Sequence, residues 1–239
     1  MTELQTLSSK GQTIWCDPRY AEQISALWFA AEYWQSVGAI TGQAQGRGAT
    51  HFIEYQQQAW VLRHYKRGGL IGKLLNDQYL YTGLTHTRVW QELQLLRYML
   101  AKNLPVPTPI AGRVEVKLAY YRGDLISAKI PQASDLHQRL LQQPLAQEIW
   151  TKIGQTIARF HQQQVFHHDL NIHNIMLDAQ QKVWLIDFDK CALRPGDKWK
   201  SANLARLQRS LEKECRVHPD YHYRQANMDS LLDGYSRHP

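Results

Sequence analysis

Between positions 165 and 178 the chain reads VFHHDLNIHNIMLD, and four side chains able to do chemistry, His167, His168, Asp169 and Asn174, fall within that stretch. Further on, KVWLIDFDK adds two carboxylates, Asp187 and Asp189. Two chemistries compete for these residues. His167, His168 and His173, with His161 just upstream, offer imidazole nitrogens to zinc or iron. Asp169, Asn174 and Asp187 offer oxygens to Mg²⁺, which takes one or two protein ligands and completes its shell with water and phosphate oxygens. The histidine reading leaves Asn174 and Asp187 without a role. The oxygen reading supplies what phosphoryl transfer requires, one group to orient or deprotonate the attacking hydroxyl and two to hold metal on a nucleotide. Asp169 takes the first role, Asn174 and Asp187 the second.

For these oxygens to meet, NIMLDAQQKVWLID must form two short apolar strands about a polar turn. With Asn174 opening one strand and Asp187 closing the other, antiparallel pairing sets them side by side, and Asp169 lies on the loop before. The preceding stretch carries Ile149, Ile153, Ile157 and Phe160 at helical spacing, with His161 beside that stripe as a packed, hydrogen-bonded core residue.

Upstream, the pattern predicts a helix over 18–38 ending at Gly38, and a glycine-bearing turn through Gly46-Arg47-Gly48. Strands over 50–55 and 59–65 follow, then a helix over 85–102 with Val89, Leu93, Leu96 and Leu100 on one face, stopped by Pro105 and Pro107. RVEVKLAYYRGDLISAKIPQA alternates as a hairpin turning at Gly123-Asp124. A sheet-rich lobe over 1–130 and a helix-rich lobe over 131–239 make the fold class α+β.

At 44% hydrophobic and 10% aromatic residues, the 239-residue chain has the composition of a folded protein. Cys16, Cys191 and Cys215 are far apart and form no C-x-x-C pair, which predicts a reducing compartment and no disulfide framework. The first residues lack the basic start and apolar stretch of a signal peptide, and the expected location is cytoplasmic. A net charge of +7 suggests an anionic partner (nucleotide, nucleic acid or acidic lipid), although solubility alone explains such an excess equally well.

HHDLNIHN resembles the H-x-D-L-x-x-x-N catalytic loop of the protein-kinase-like superfamily, and IDFDK is similar to its Asp-Phe-Gly metal motif. The resemblance implies a bilobal kinase-like fold, with a sheet-rich N-lobe and a short helical C-lobe, using ATP and Mg²⁺. It makes Gly46 and Gly48 a shortened phosphate-covering loop, puts WVLR on the strand that carries the nucleotide lysine, and makes Glu92 that residue's ion-pair partner. Pro131 falls at the adenine hinge. The lysine position reads Arg63, which is not equivalent to lysine, with Lys66 as the alternative if the register slips. Asp189 replaces the glycine of the metal motif.

Only 52 residues follow Asp187 (239 − 187), with no Ala-Pro-Glu among them, so a small-molecule or lipid-headgroup kinase is expected rather than a protein kinase. Within that group, VLRHYKRGGLIGKLL, THTRVWQEL, VFHHDLNIHNIML, LIDFDKC and NLARLQRSLEK together resemble the bacterial 3-deoxy-D-manno-octulosonic acid (Kdo) kinases, relatives of the lipopolysaccharide heptose kinases. The resemblance implies phosphorylation of the 4-hydroxyl of Kdo on Kdo-lipid A at the cytoplasmic face of the inner membrane. Heptose or aminoglycoside kinases are the alternative enzymes, and a pseudokinase or basic binding module the alternative without catalysis. No aromatic-rich nucleic-acid motif is present, so no nucleic-acid partner is expected.

Two basic segments bear on the acceptor. Lys66, Arg67 and Lys73 mixed with Leu70, Ile71, Leu74 and Leu75 suit an anionic bilayer surface, or equally a loop packing its leucines inward. Near the end, Leu204, Leu207, Leu211 and Cys215 form an apolar stripe, and Arg206, Arg209, Lys213 and Arg216 a basic one that either meets acceptor anions or faces solvent.

Overall fold

The computed structural model describes residues 3–44, 50–66 and 77–237. The chain divides into two compact units, the first comprising 1–97 and 107–129, the second 98–106 and 130–239. Mixed sheet and helix in this order is the kinase-like α+β arrangement expected from the sequence.

The first unit is built on an antiparallel sheet. Its strands are β1 (Gln5–Ser9), β2 (Gln12–Cys16), β3 (Ile40–Ala44), β4 (Thr50–Tyr55), β5 (Gln58–His64), β6 (Tyr79–Leu80), β7 (Pro109–Lys117) and β8 (Tyr120–Ala128). The order is β1-β2-β7-β8-β5-β4-β3, with β6 also pairing β8. One helix, α1 (Ala31–Ser36), precedes β3, and a longer one, α2 (Arg88–Ala101), precedes β7. The predicted helix over 18–38 is instead two 3-10 turns and α1. Trp28 and Trp34, six residues apart, point in different directions on a continuous helix. An extended Ala30 bends the chain so that the Trp34 indole donates to the Trp28 carbonyl at 2.7 Å, and both rings enter one aromatic core with Trp60.

The predicted turn at Gly123-Asp124 lies elsewhere. The β7–β8 hairpin turns at Leu118-Ala119, with Leu118 in the left-handed region, and Gly123 sits within β8. A Cβ on Gly123 would lie 2.4 Å from the Val89 side chain, so the absent side chain makes room for α2 on the sheet. Asp124 is buried, accepting from Arg113 at 2.7 Å and sharing a hydrogen bond with His64 Nδ1 at 2.7 Å.

The second unit contains β9 (Ser134–Asp135), α3 (Leu136–Gln142), α4 (Gln147–Gln162), β10 (Val165–Phe166), β11 (Ile175–Leu177), β12 (Val183–Leu185), β13 (Ala192–Leu193), α5 (Lys200–Val217) and α6 (Gln225–Ser236). Pro144 forces Gln143 into an extended conformation and separates α3 from α4. The buried stripe of α4 includes Ile149, Ile153, Ile157, Phe160 and His161, as its spacing predicts.

No pattern in the sequence marks α6, which crosses α4 at two glycines. A Cβ on Gly154 would lie 1.9 Å from the Leu231 carbonyl oxygen, and one on Gly234 would lie 2.2 Å from that of Thr151. Backbone leaves no flexible atom to yield. Gly154→Ala is therefore expected to cost about 3 kcal/mol in urea unfolding, at the upper end of ordinary overpacking. An unchanged midpoint and slope would contradict this crossing.

Candidate functional site

In the second unit, β11 and β12 form the expected hairpin, pairing Ile175 with Leu185 and Leu177 with Val183. Asp178 fixes its turn, accepting from the amides of Gln180 and Lys182 and from the Trp184 indole, each at 2.9 Å. The register places Ile186 opposite Asn174, with an Ile186 N–H bond of 3.0 Å to the Asn174 carbonyl. Asp187 follows one position later, in the left-handed region at φ 62°, which aspartate tolerates better than most residues. Asp189, where the family motif has glycine, does not need a positive φ; Lys190 takes that conformation instead.

Several contacts fix the loop from His167 to Asn174. The Asn171 side chain accepts from His173 N–H at 2.8 Å and caps a 3-10 turn over Ile172–Asn174. Ser210 of α5 accepts from Ile172 N–H at 3.1 Å. Buried Asn174 donates through Nδ2 to the Asp169 carbonyl at 2.9 Å, leaving its amide oxygen as the remaining acceptor. Asp169 is half-buried and pairs with Arg206 of α5, whose Nε and Nη2 both reach Oδ1, at 2.9 and 2.5 Å. Burial alone would raise the Asp169 carboxyl, but hydrogen bonds and charge from Arg206 outweigh it and hold it below the usual carboxylate range.

The histidines part company. His161 lies between the Tyr235 hydroxyl, at 2.9 Å from Nδ1, and Asn203 Oδ1, at 3.1 Å from Nε2. Asn203 in turn donates to the His167 carbonyl at 2.7 Å, so these contacts tie α6, α4 and α5 to the start of the loop. The His167 Nε2–H donates to the Ile186 carbonyl at 3.0 Å, joining that loop to the hairpin strand before Asp187. His168 is exposed, and its amide donates to Cys191 Sγ at 3.2 Å. His173 instead joins His137 and His218 around Glu214, at 3.8, 3.7 and 3.5 Å. Among the described residues, the only metal-compatible cluster is His137, His173 and Glu214, so His161, His167, His168 and His173 do not form one together.

Burial is the main reason His161 is pushed down to about 4 and His167 is also lowered. Below the ordinary histidine value of about 6.5, the unfolded chain takes up a proton that folded His161 refuses, and stability falls with pH down to about 4. Thermal midpoints from pH 7 to pH 4 should therefore decline less steeply for His161→Gln than for the unsubstituted protein. Parallel declines would contradict a neutral His161.

In the first unit, Arg63 of β5 forms an ion pair with Glu92 of α2. Glu92 is buried and also accepts from the Tyr65 hydroxyl at 2.5 Å, while the Arg63 guanidinium lies 5.0 Å from the Tyr65 ring centroid. Tyr65, which no sequence motif singles out, thus holds both partners. Its phenol is raised far above normal, by burial first and by Glu92 next. Lys66 lies two residues beyond β5, and Gly46 and Gly48 fall outside the described residues, as do Arg67, Leu70, Ile71, Lys73, Leu74 and Leu75. No helix among the described residues is long and apolar enough to cross a membrane.

Comparison with known proteins gives concordant results. Residues 31–235 match the model of the Lipopolysaccharide kinase (Kdo/WaaP) family. A Vibrio cholerae protein named 3-deoxy-D-manno-octulosonic acid kinase is 46% identical over 211 residues, covering 88% of this chain and 90% of the relative. A Vibrio parahaemolyticus protein of the same name is 43% identical over 98% of both chains, and one from Haemophilus influenzae is 46% identical over 79% of this chain and 81% of its own.

Proposed function

The chain belongs to the Kdo/WaaP family of lipopolysaccharide kinases, and we propose that it transfers the γ-phosphoryl group of ATP to the 4-hydroxyl of Kdo on Kdo-lipid A. The observation that carries the catalytic part of this reading is the loop itself, in which Asn174 is hydrogen-bonded to the main chain of Asp169 and both stand next to the hairpin leading to Asp187. The relatives' shared name supports Kdo as the sugar.

In this mechanism Asp169 orients the acceptor hydroxyl and takes its proton as the new O–P bond forms and the bond to the ADP oxygen breaks. Asn174 and Asp187 would hold Mg²⁺, and they fit that ion because both offer hard oxygens, the Asn174 amide having committed its nitrogen to Asp169. Magnesium bound there supplies charge neutralisation on the phosphate oxygens. Arg63, oriented by Glu92 and Tyr65, serves as the cation for nucleotide phosphates. The sequence resemblance assigns Gly46 and Gly48 to the phosphate-covering loop, with Lys66 as the alternative to Arg63.

Because the acceptor is a lipid, the protein works as a peripheral protein on the anionic cytoplasmic face of the inner membrane, using the basic, leucine-bearing segment around Leu70 and Leu74. Flotation with anionic liposomes should be lost when both leucines become glutamate; retained flotation would remove that segment from the account. The acceptor itself is tested by offering purified protein labelled ATP with Kdo-lipid A, a heptosylated acceptor and an aminoglycoside in parallel. Label should enter Kdo-lipid A, and exclusive labelling of another acceptor would replace this reading.

A further inference from the structure

Beside Asp169, on the face of the second unit formed by β10, β13 and α5, lies a cavity of about 420 Å³. Its lining includes Arg194, Lys198, Arg206 and Arg209, together with Phe166 and His168, and among the described residues no carboxylate lines it. The Arg194 guanidinium rests 5.1 Å from the centroid of the Phe166 ring, which keeps one cation on the apolar wall. A half-open cleft lined by four cations has the charge to attract an anion. Arg206 connects it to the chemistry, because both of its short bonds run to Asp169 Oδ1.

We propose that this cavity receives an anionic oxygen group of the acceptor, a carboxylate or a phosphate, and that Arg206 passes from Asp169 to that anion as it binds. The assignment rests on the functional reading above. While the ion pair stands, the acceptor hydroxyl must compete with a guanidinium for Oδ1. The pair is half-exposed on both sides, and exposed ion pairs contribute little, so giving it up costs little. A charge-assisted, two-pronged bond from Arg206 to an acceptor anion replaces it. Entry of the anion thereby clears Oδ1 as the hydroxyl arrives, and an acceptor without the anion leaves Arg206 on Oδ1. Arg209 and Lys198 read the anion, and Arg206 positions.

The test is steady-state kinetics with Kdo-lipid A, comparing Arg209→Ala, Lys198→Ala and Arg209→Lys with the unsubstituted protein. Each alanine variant should raise the acceptor KM at least about tenfold, leave the ATP KM unchanged, and keep its thermal midpoint; Arg209→Lys should recover most of the loss. Two modified acceptors, one with the Kdo carboxyl reduced to an alcohol and one lacking the lipid A phosphates, identify the source. Removing the anion that the cavity reads should raise the KM of the unsubstituted protein and abolish the difference between it and Arg209→Ala. Turnover with an acceptor KM unaltered by both alanine substitutions overturns the assignment alone, as does a difference that survives both modified acceptors. Absence of turnover by the unsubstituted protein overturns the functional reading and this assignment with it.

Discussion

Asp169→Ala should lower kcat by about 10³-fold or more, while the affinity for ATP stays where it was. In the proposed mechanism this carboxylate holds the attacking hydroxyl, and its removal leaves the hairpin with Asn174 and Asp187 in place. Asn174 bonds the main chain of Asp169, not its side chain, so the substitution keeps the loop hydrogen bond. Arg206 loses its partner on an exposed helix face, a change worth little to folding. Single-turnover measurements at saturating ATP separate this loss of chemistry from a loss of binding. Transfer at an undiminished rate would remove Asp169 from the mechanism.

Asp187→Ala should be comparably severe, for a different reason. In the proposed mechanism Asp187 is a metal-holding carboxylate, and its loss would remove several kcal/mol of charge stabilisation from the transition state, or about 10³-fold in rate at 1.36 kcal/mol per decade. Asp187 is exposed and already in a left-handed conformation that alanine tolerates less well, so part of any stability loss will be local to the motif. A direct readout is the dependence of nucleotide binding on Mg²⁺. In the unsubstituted protein, titration with Mg²⁺ should tighten ATP binding; in Asp187→Ala that tightening should be largely gone. Equal Mg²⁺ dependence in both proteins would assign the ion to other ligands. Asn174→Ala should share the metal defect and also loosen the loop, because it deletes the bond to the Asp169 carbonyl.

What the sequence revealed here was local pattern. The stripe Val89, Leu93, Leu96 specified α2, and the alternating run after Asn174 specified the β11–β12 hairpin, because periods of 3.6 and 2 are written directly in the order of residues. Register was less legible. Asp187 falls one residue past the position opposite Asn174, an offset set by pairing with Ile186 rather than by composition. Gly123-Asp124 looks like a turn until Val89 is seen to need the space above Gly123, and Arg113 and His64 to need the buried Asp124. Gly154 in the middle of an apolar stripe was a signal for close helix crossing, but its partner Gly234 lies 80 residues away and only the fold joins them. The same holds at the site. Arg206 belonged to a recognisable basic stripe, whereas its pairing with Asp169, 37 residues earlier, is a tertiary fact. Tyr65 gave no signal of its own, since a tyrosine at a strand end is ordinary until it is found holding Glu92.

The proposed reaction is phosphorylation of the sugar of a lipid-linked Kdo acceptor. Its most direct test is mass spectrometry, with fragmentation, of Kdo-lipid A after incubation with the purified protein, ATP and Mg²⁺. One added phosphoryl group is expected, retained on the Kdo fragment and assigned by NMR to the 4-hydroxyl, and absent when Asp169→Ala replaces the unsubstituted protein. A Kdo-lipid A recovered without added phosphate, or one phosphorylated only on the lipid A portion, would contradict it.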